Sequence, residues 1–143
     1  MPRTIEIAPG LSVAAQLTAD DVAGLKKAGF RTIINNRPDG EEAAQPPASA
    51  IRGEAERHAI AYVYQPVSTS AIAAKDVAEL ERNIANAAKP VLAHCRSGTR
   101  TYLMWAAGQA LKGMDPAALV AEAAAKGFDL RSLPALVERV KAG

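Results

Sequence analysis

An α/β fold, a small, mostly parallel sheet with helices on both faces, is predicted by three observations. Short apolar or alternating runs of four to seven residues recur between longer stretches with helical spacing. Glycines or prolines stand at most of the junctions, among them Gly10, Gly29, Gly113 and Gly127. The order is strand–helix–strand–helix–strand–helix and then further helices, an alternation that buries a parallel sheet between helical layers. At 143 residues, 49% of them apolar, the chain can fill one core, and residues 1–143 read as a single domain.

The elements follow in order. Arg3 to Ile7 alternates as an edge strand does, Ala8-Pro9-Gly10 turns the chain, and Leu11 to Ala15 is a second short strand. A helix begins at Thr18, with Asp21 three residues on as a near capping box, buries Val22, Leu25 and Ala28, and ends at Gly29. Phe30 to Asn35 is a strand, and the polar turn from Asn36 to Glu42 follows its carboxyl end. Gln45-Pro46-Pro47 is a further break. Ala48 to Ala59 is expected to be helical, Ala61 to Val67 a strand, and Ser68-Thr69-Ser70 a hydroxyl-rich loop. Ala74 to Ala88 is amphipathic, with Val77, Leu80 and Ile84 inward. Pro90 to Ala93 is a buried strand and Thr101 to Leu111 a helix. Asp115-Pro116 opens the next helix, with Asp as N-cap and Pro in the first turn, and Ser132 to Lys141 is the last.

The chemistry concentrates at Val91-Leu92-Ala93-His94-Cys95-Arg96-Ser97-Gly98-Thr99-Arg100-Thr101. A cysteine between a strand end and a helix start faces backbone N–H groups that have no helical partner. The helix dipole adds partial positive charge there, so such a place holds anions and favours the thiolate form of a cysteine. Arg96 and Arg100 add two guanidiniums able to grip an oxyanion two oxygens at a time. Ser97 and Thr99 either donate to the thiolate or shape the turn. His94 points to the opposite side of the strand from Cys95 and orients the loop by hydrogen bonding. Arg37 and Asp39 lie on another loop at a strand's carboxyl end, where open parallel sheets bind ligands; a plain surface turn is the competing reading of that loop.

Composition excludes several classes. A net charge of +2 is too small to argue for nucleic acid or an anionic membrane surface, and no apolar stretch approaches a membrane span. No secretory signal is visible at Met1-Pro2-Arg3, and a lone cysteine that must stay reduced fits a cytoplasmic location. With two histidines, one cysteine and no CxxC, no metal site and no cofactor are expected. The expected partner is a small anionic substrate, either a phosphoester or a sulfane-sulfur donor.

Three stretches carry a family resemblance: Ser12 to Thr18, Ala28 to Glu41, and His94 to Arg100. Through them the chain resembles the beta-lactamase-hydrolase-like phosphatase domain family, within the protein-tyrosine-phosphatase-like superfamily and also described as phosphatase-like sulfurtransferases. The resemblance implies that fold, with Cys95 as nucleophile, Arg100 as the anion-holding arginine, and Arg96, Ser97, Gly98 and Thr99 around the bound group. Two departures stand against it. The superfamily motif places five residues between Cys and Arg; here four separate Cys95 from Arg100, and Thr101 holds the expected position. This shorter spacing is similar to that of rhodanese sulfurtransferases. The superfamily also carries an acidic residue on the loop before the cysteine strand, where this chain has Ser68-Thr69-Ser70, so Asp39 or Asp76 would have to serve as general acid.

The resemblance thus implies a cysteine-dependent hydrolase passing through a thiophosphoryl-cysteine at Cys95. Loop length and the missing acid favour a sulfurtransferase carrying a persulfide on Cys95, and a catalytically idle anion-binding module is a third expectation.

Overall fold

The computed structural model describes residues 2–143 and places the apolar run before Cys95 at the centre of a five-stranded sheet. Met1 lies outside the described residues. The sheet opens with an antiparallel hairpin, β1 (Ile5–Ala8) and β2 (Leu11–Ala14), turned at Gly10, whose φ of 76° suits a residue without Cβ. Then come α1 (Asp21–Lys27), β3 (Thr32–Asn35), α2 (Ala48–Arg57) and β4 (Ala61–Tyr64). A short 3-10 turn at Thr69–Ala71 precedes α3 (Ala74–Asn86) and β5 (Val91–His94). Three helices end the chain: α4 (Thr99–Leu111), α5 (Pro116–Ala125) and α6 (Leu133–Ala142). None of the described helices is long and apolar enough to cross a membrane.

The strand order is β1-β2-β5-β3-β4, parallel throughout except for β1. Successive residues of β5 serve opposite faces, as the period of a strand requires. Leu92 joins Leu17, Val22, Leu25, Ile33, Ile51 and Ile60 beneath α1 and α2. Val91 and Ala93 join Val13 and Ile34 beneath α3 to α6. The sheet is therefore covered on both faces. The last residues of β2, β5 and β3 stand in register, Ala14 beside His94 beside Asn35, so the loops after these strands emerge along one edge.

Several boundaries differ from the sequence expectation. The Thr18–Asp21 pair forms, the Thr18 N–H donating to Asp21 Oδ2 at 2.7 Å, but the first turn is of the i→i+3 kind and α1 proper starts at Asp21. β4 ends at Tyr64, short of Val67, although the Gln65 and Val67 N–H groups still donate to the Asn35 (2.8 Å) and Asn36 (3.1 Å) carbonyls. α4 starts two residues earlier than expected, which brings Thr99 and Arg100 into its first turn. Nine of the thirteen residues of α4 are buried, so it is an interior helix packed against α3, α5 and α6.

Candidate active site

Cys95 leaves the end of β5 and is buried. Gly98, at the N-cap of α4, has φ 95°, and its N–H donates to Cys95 Sγ at 3.1 Å. The thiol thus receives one of the free N–H groups that a helix start provides. A side chain at Gly98 would place Cβ 3.0 Å from Phe128 Cε1 and 3.4 Å from the Ala14 carbonyl oxygen. Strain from the positive φ and this crowding together predict that Gly98→Ala destabilises the fold by about 1–3 kcal/mol. It should also remove most turnover by displacing the N–H from Cys95; chemical denaturation and a kcat/KM measurement check both parts. Ser97 Oγ donates to Thr99 Oγ1 at 3.2 Å and accepts from the Thr99 N–H at 3.4 Å, a turn-shaping arrangement.

Around this loop stands a network of three arginines and two glutamates. Arg100, 8% exposed, pairs with Glu41 through both terminal nitrogens, Nη1 to Oε2 at 3.1 Å and Nη2 to Oε1 at 3.0 Å. Its Nη1 also donates to the carbonyls of Val67 (2.9 Å) and Asn36 (3.4 Å), which fastens the start of α4 to the loops after β4 and β3. Arg37 is 3% exposed and engaged through all three nitrogens: Nε with Glu41 Oε1 (3.0 Å), Nη1 with Gln16 Oε1 (3.2 Å) and Nη2 with Glu42 Oε1 (2.7 Å). Arg96 is exposed and touches Glu42 Oε1 through Nε at 2.9 Å. Gln16 closes the circuit, its N–H donating to the Arg96 carbonyl at 3.1 Å. Hydrogen bonding to Arg100 holds the Glu41 carboxyl below the usual carboxylate range, opposed by burial and reinforced by Arg37, so it is ionised at neutral pH.

Asp39 belongs elsewhere. Its Oδ1 accepts from the Ala48 N–H at 2.8 Å and its own N–H donates to the Tyr64 hydroxyl at 2.9 Å. Pro47 stands at the N-cap of α2 and has no side chain able to cap, so Asp39 does it from nine residues away. The Asp39 carboxylate thus meets the start of α2, whereas the Arg37 guanidinium meets Glu41, Glu42 and Gln16 beside the cysteine loop. Asp76, the other acid considered, accepts from the Ala73 N–H at 2.8 Å at the start of α3.

Sequence reasoning missed Glu41 and Glu42 as site residues. The available signal was charge: three arginines on two loops of one sheet edge require acidic partners, and Glu41 and Glu42 follow Arg37 within five residues. Thr101, at the place of the superfamily arginine, is buried and donates from Oγ1 to Asn36 Oδ1 at 2.9 Å, while Asn36 Nδ2 donates to the Gln65 carbonyl at 3.1 Å. His94 is fully buried, with Nδ1 3.3 Å from the Cys95 carbonyl oxygen. Burial drives its pKa down to about 4, helped by the charge of Arg37 and opposed by the Cys95 carbonyl, so the ring is neutral at pH 7. The neutral ring donates from Nδ1 and supports the loop without carrying charge. A cavity of about 180 Å³ lies between α3 and α4, lined by Val77, Leu80, Met104 and Trp105 and by no residue of the cysteine loop.

The chain has relatives among known proteins. A beta-lactamase hydrolase-like protein of Xylella fastidiosa (strain 9a5c) is 36% identical over 138 residues, which are 96% of this chain and 32% of the relative. The chain thus spans about a third of the length of that relative. A crystal structure from Neisseria meningitidis Z2491, provisionally named a phosphatase, superposes with a TM-score of 0.87 at 33% identity, covering 95% of this chain and 96% of the other. TpbA of P. aeruginosa, at 21% identity and a TM-score of 0.69 over 99% of this chain and 85% of its own, shares the fold; TpbA has also been solved with pTyr bound. The fold is protein-tyrosine-phosphatase-like. Residues 3–112 match the family model described as beta-lactamase hydrolase-like protein, phosphatase-like domain, and the chain belongs to that family.

Proposed function

We propose that this chain is a cysteine-dependent phosphatase-like hydrolase acting on a small anionic phosphoester. The observation that carries the reading is the Gly98 N–H on Cys95 Sγ at the mouth of α4, with Arg100 in the first helical turn. The Cys95 thiolate attacks phosphorus, the P–O ester bond breaks, and its electron pair leaves with the alcohol oxygen. Loop N–H groups and the Arg100 guanidinium carry the charge on the remaining oxygens. Water then attacks the thiophosphoryl group, the P–S bond breaks, and phosphate and thiolate are released. The pTyr complex of TpbA supports an anionic ester as the substrate class.

One observation favours a second reading, sulfur transfer. The loop between β4 and α3 carries no carboxylate, Ser68 and Ser70 bond to each other at 3.1 Å, Asp39 and Asp76 cap helices, and Glu41 is held ionised. None of these acids is ready to protonate an alkoxide. Transfer of the outer sulfur of thiosulfate to the Cys95 thiolate needs no such proton, because sulfite departs with the electron pair. The chain is therefore expected to hydrolyse an activated aryl phosphate about 100-fold or more faster than a phosphopeptide, the missing contribution of a general acid. Assays of kcat/KM on aryl phosphate, phosphotyrosine peptide and thiosulfate test this. Comparable rates on peptide and aryl ester would contradict it, and thiosulfate turnover without phosphate release would replace the hydrolase by the sulfurtransferase.

A further inference from the structure

The conformation of Gly98 decides where the N–H on Cys95 Sγ points. Both backbone groups of Gly98 are spent within the loop and its helix: the N–H on Cys95 and the carbonyl on the Tyr102 N–H at 3.0 Å. Arg96 differs, because its carbonyl takes the Gln16 N–H and so ties the loop to the chain after β2. Gly98 is held from outside by packing instead. A Cβ built there would lie 3.0 Å from Phe128 Cε1, so the ring of Phe128 rests against this residue. Phe128 comes from the turn between α5 and α6, outside the residues 3–112 that match the family model. It is itself pinned. Its N–H donates to the Ala123 carbonyl at 2.9 Å, and Leu130, two residues on, is fully buried. Its ring meets buried Tyr102 edge-on, with centroids 5.2 Å apart at 61°, and Tyr102 meets Trp105 in the same way at 5.9 Å and 67°.

We propose that Phe128 is a positioning residue for the cysteine loop: its ring, braced by Tyr102, holds Gly98 in the conformation that aims the Gly98 N–H at Cys95. The inference rests on the functional reading only in taking Cys95 as the reactive group. Glycine populates both signs of φ about equally, so its own preference does not select the φ of 95° seen here, and a contact has to. Removing the ring opens space on the side where a Cβ would point, with the Ala14 carbonyl, 3.4 Å from that point, as the next group met. Gly98 can then rotate and carry its N–H off the sulfur. The competing account is ordinary packing of the α5–α6 turn, in which losing the ring costs stability and leaves the reactivity of Cys95 untouched.

The test compares Phe128→Ala with Ile51→Ala, a cavity made in α2 on the opposite face of the sheet, each measured in the whole chain well below its own Tm. The readouts are the pH midpoint of Cys95 alkylation by iodoacetamide and kcat/KM on an aryl phosphate. A thiolate that loses one N–H donor loses about tenfold in stabilisation, so Phe128→Ala should raise the midpoint by about one pH unit and lower kcat/KM by about tenfold. Ile51→Ala should lower Tm and move neither. Gly98→Ala should cost less kcat/KM in the Phe128→Ala background than in wild type, because the same N–H is already displaced. Should Phe128→Ala fail to fold by its melting curve, Phe128→Leu keeps an apolar side chain without the flat ring, and the same directions are expected. An unmoved midpoint in a folded Phe128 variant, an equal rise in Ile51→Ala, or an undiminished loss from Gly98→Ala in both backgrounds would overturn the proposal. A wild type that turns over neither ester nor thiosulfate would remove the functional reading, while the alkylation midpoint, which needs no substrate, still decides this one.

Discussion

Cys95→Ser is expected to lower kcat/KM for aryl phosphates by at least about 10,000-fold, since removal of a covalent nucleophile leaves only binding and oxyanion stabilisation. Sulfur transfer should vanish with it. The fold should survive, because a serine hydroxyl can accept the Gly98 N–H in place of the sulfur. Steady-state assays and a thermal melt of the same preparation check both parts. A serine variant with near wild-type turnover would place the chemistry elsewhere in the molecule.

Arg100→Lys carries the next largest effect. Arg100 supplies hydrogen bonds to Glu41 and to the Val67 and Asn36 carbonyls from a planar fork. An ammonium has three donors on a point charge and cannot reproduce that fork. Loss of one oxyanion donor predicts a fall of about 100- to 1,000-fold in kcat/KM, and the unpaired buried groups predict a stability loss of about 1–3 kcal/mol. Arg96→Ala is the control: with one exposed contact to Glu42, it should change kcat/KM by no more than about threefold. A dead Arg96→Ala beside an active Arg100→Lys would reverse the assignment.

The part of the site that was legible in the sequence is local. The run Val91 to Ala93 is apolar throughout because both faces of β5 are covered, and a cysteine followed by a turn and a helix can lie only at the strand's carboxyl end. What was not legible is long-range. Glu41 meets Arg100 across 59 residues, a contact made by strand order rather than spacing. Asp39 shares a loop with Arg37, and spacing alone leaves site residue and surface turn open; its bond to the Ala48 N–H depends on α2 beginning after a proline that cannot cap it. The early start of α4 follows from the left-handed conformation of Gly98, which lets the chain enter the helix directly after the turn. Thr101 reads as a missing arginine in the sequence and is, in the structure, the bolt between α4 and the loop after β3.

Covalent chemistry at Cys95 is most directly tested by mass spectrometry of acid-quenched protein after brief incubation with an activated aryl phosphate and, separately, with thiosulfate. The phosphatase-like mechanism predicts one phosphoryl group on the peptide that contains Cys95, present during turnover and absent from Cys95→Ser. Turnover with no phosphoryl adduct on that peptide, or a persulfide from thiosulfate with no phosphoryl adduct from the ester, would contradict it.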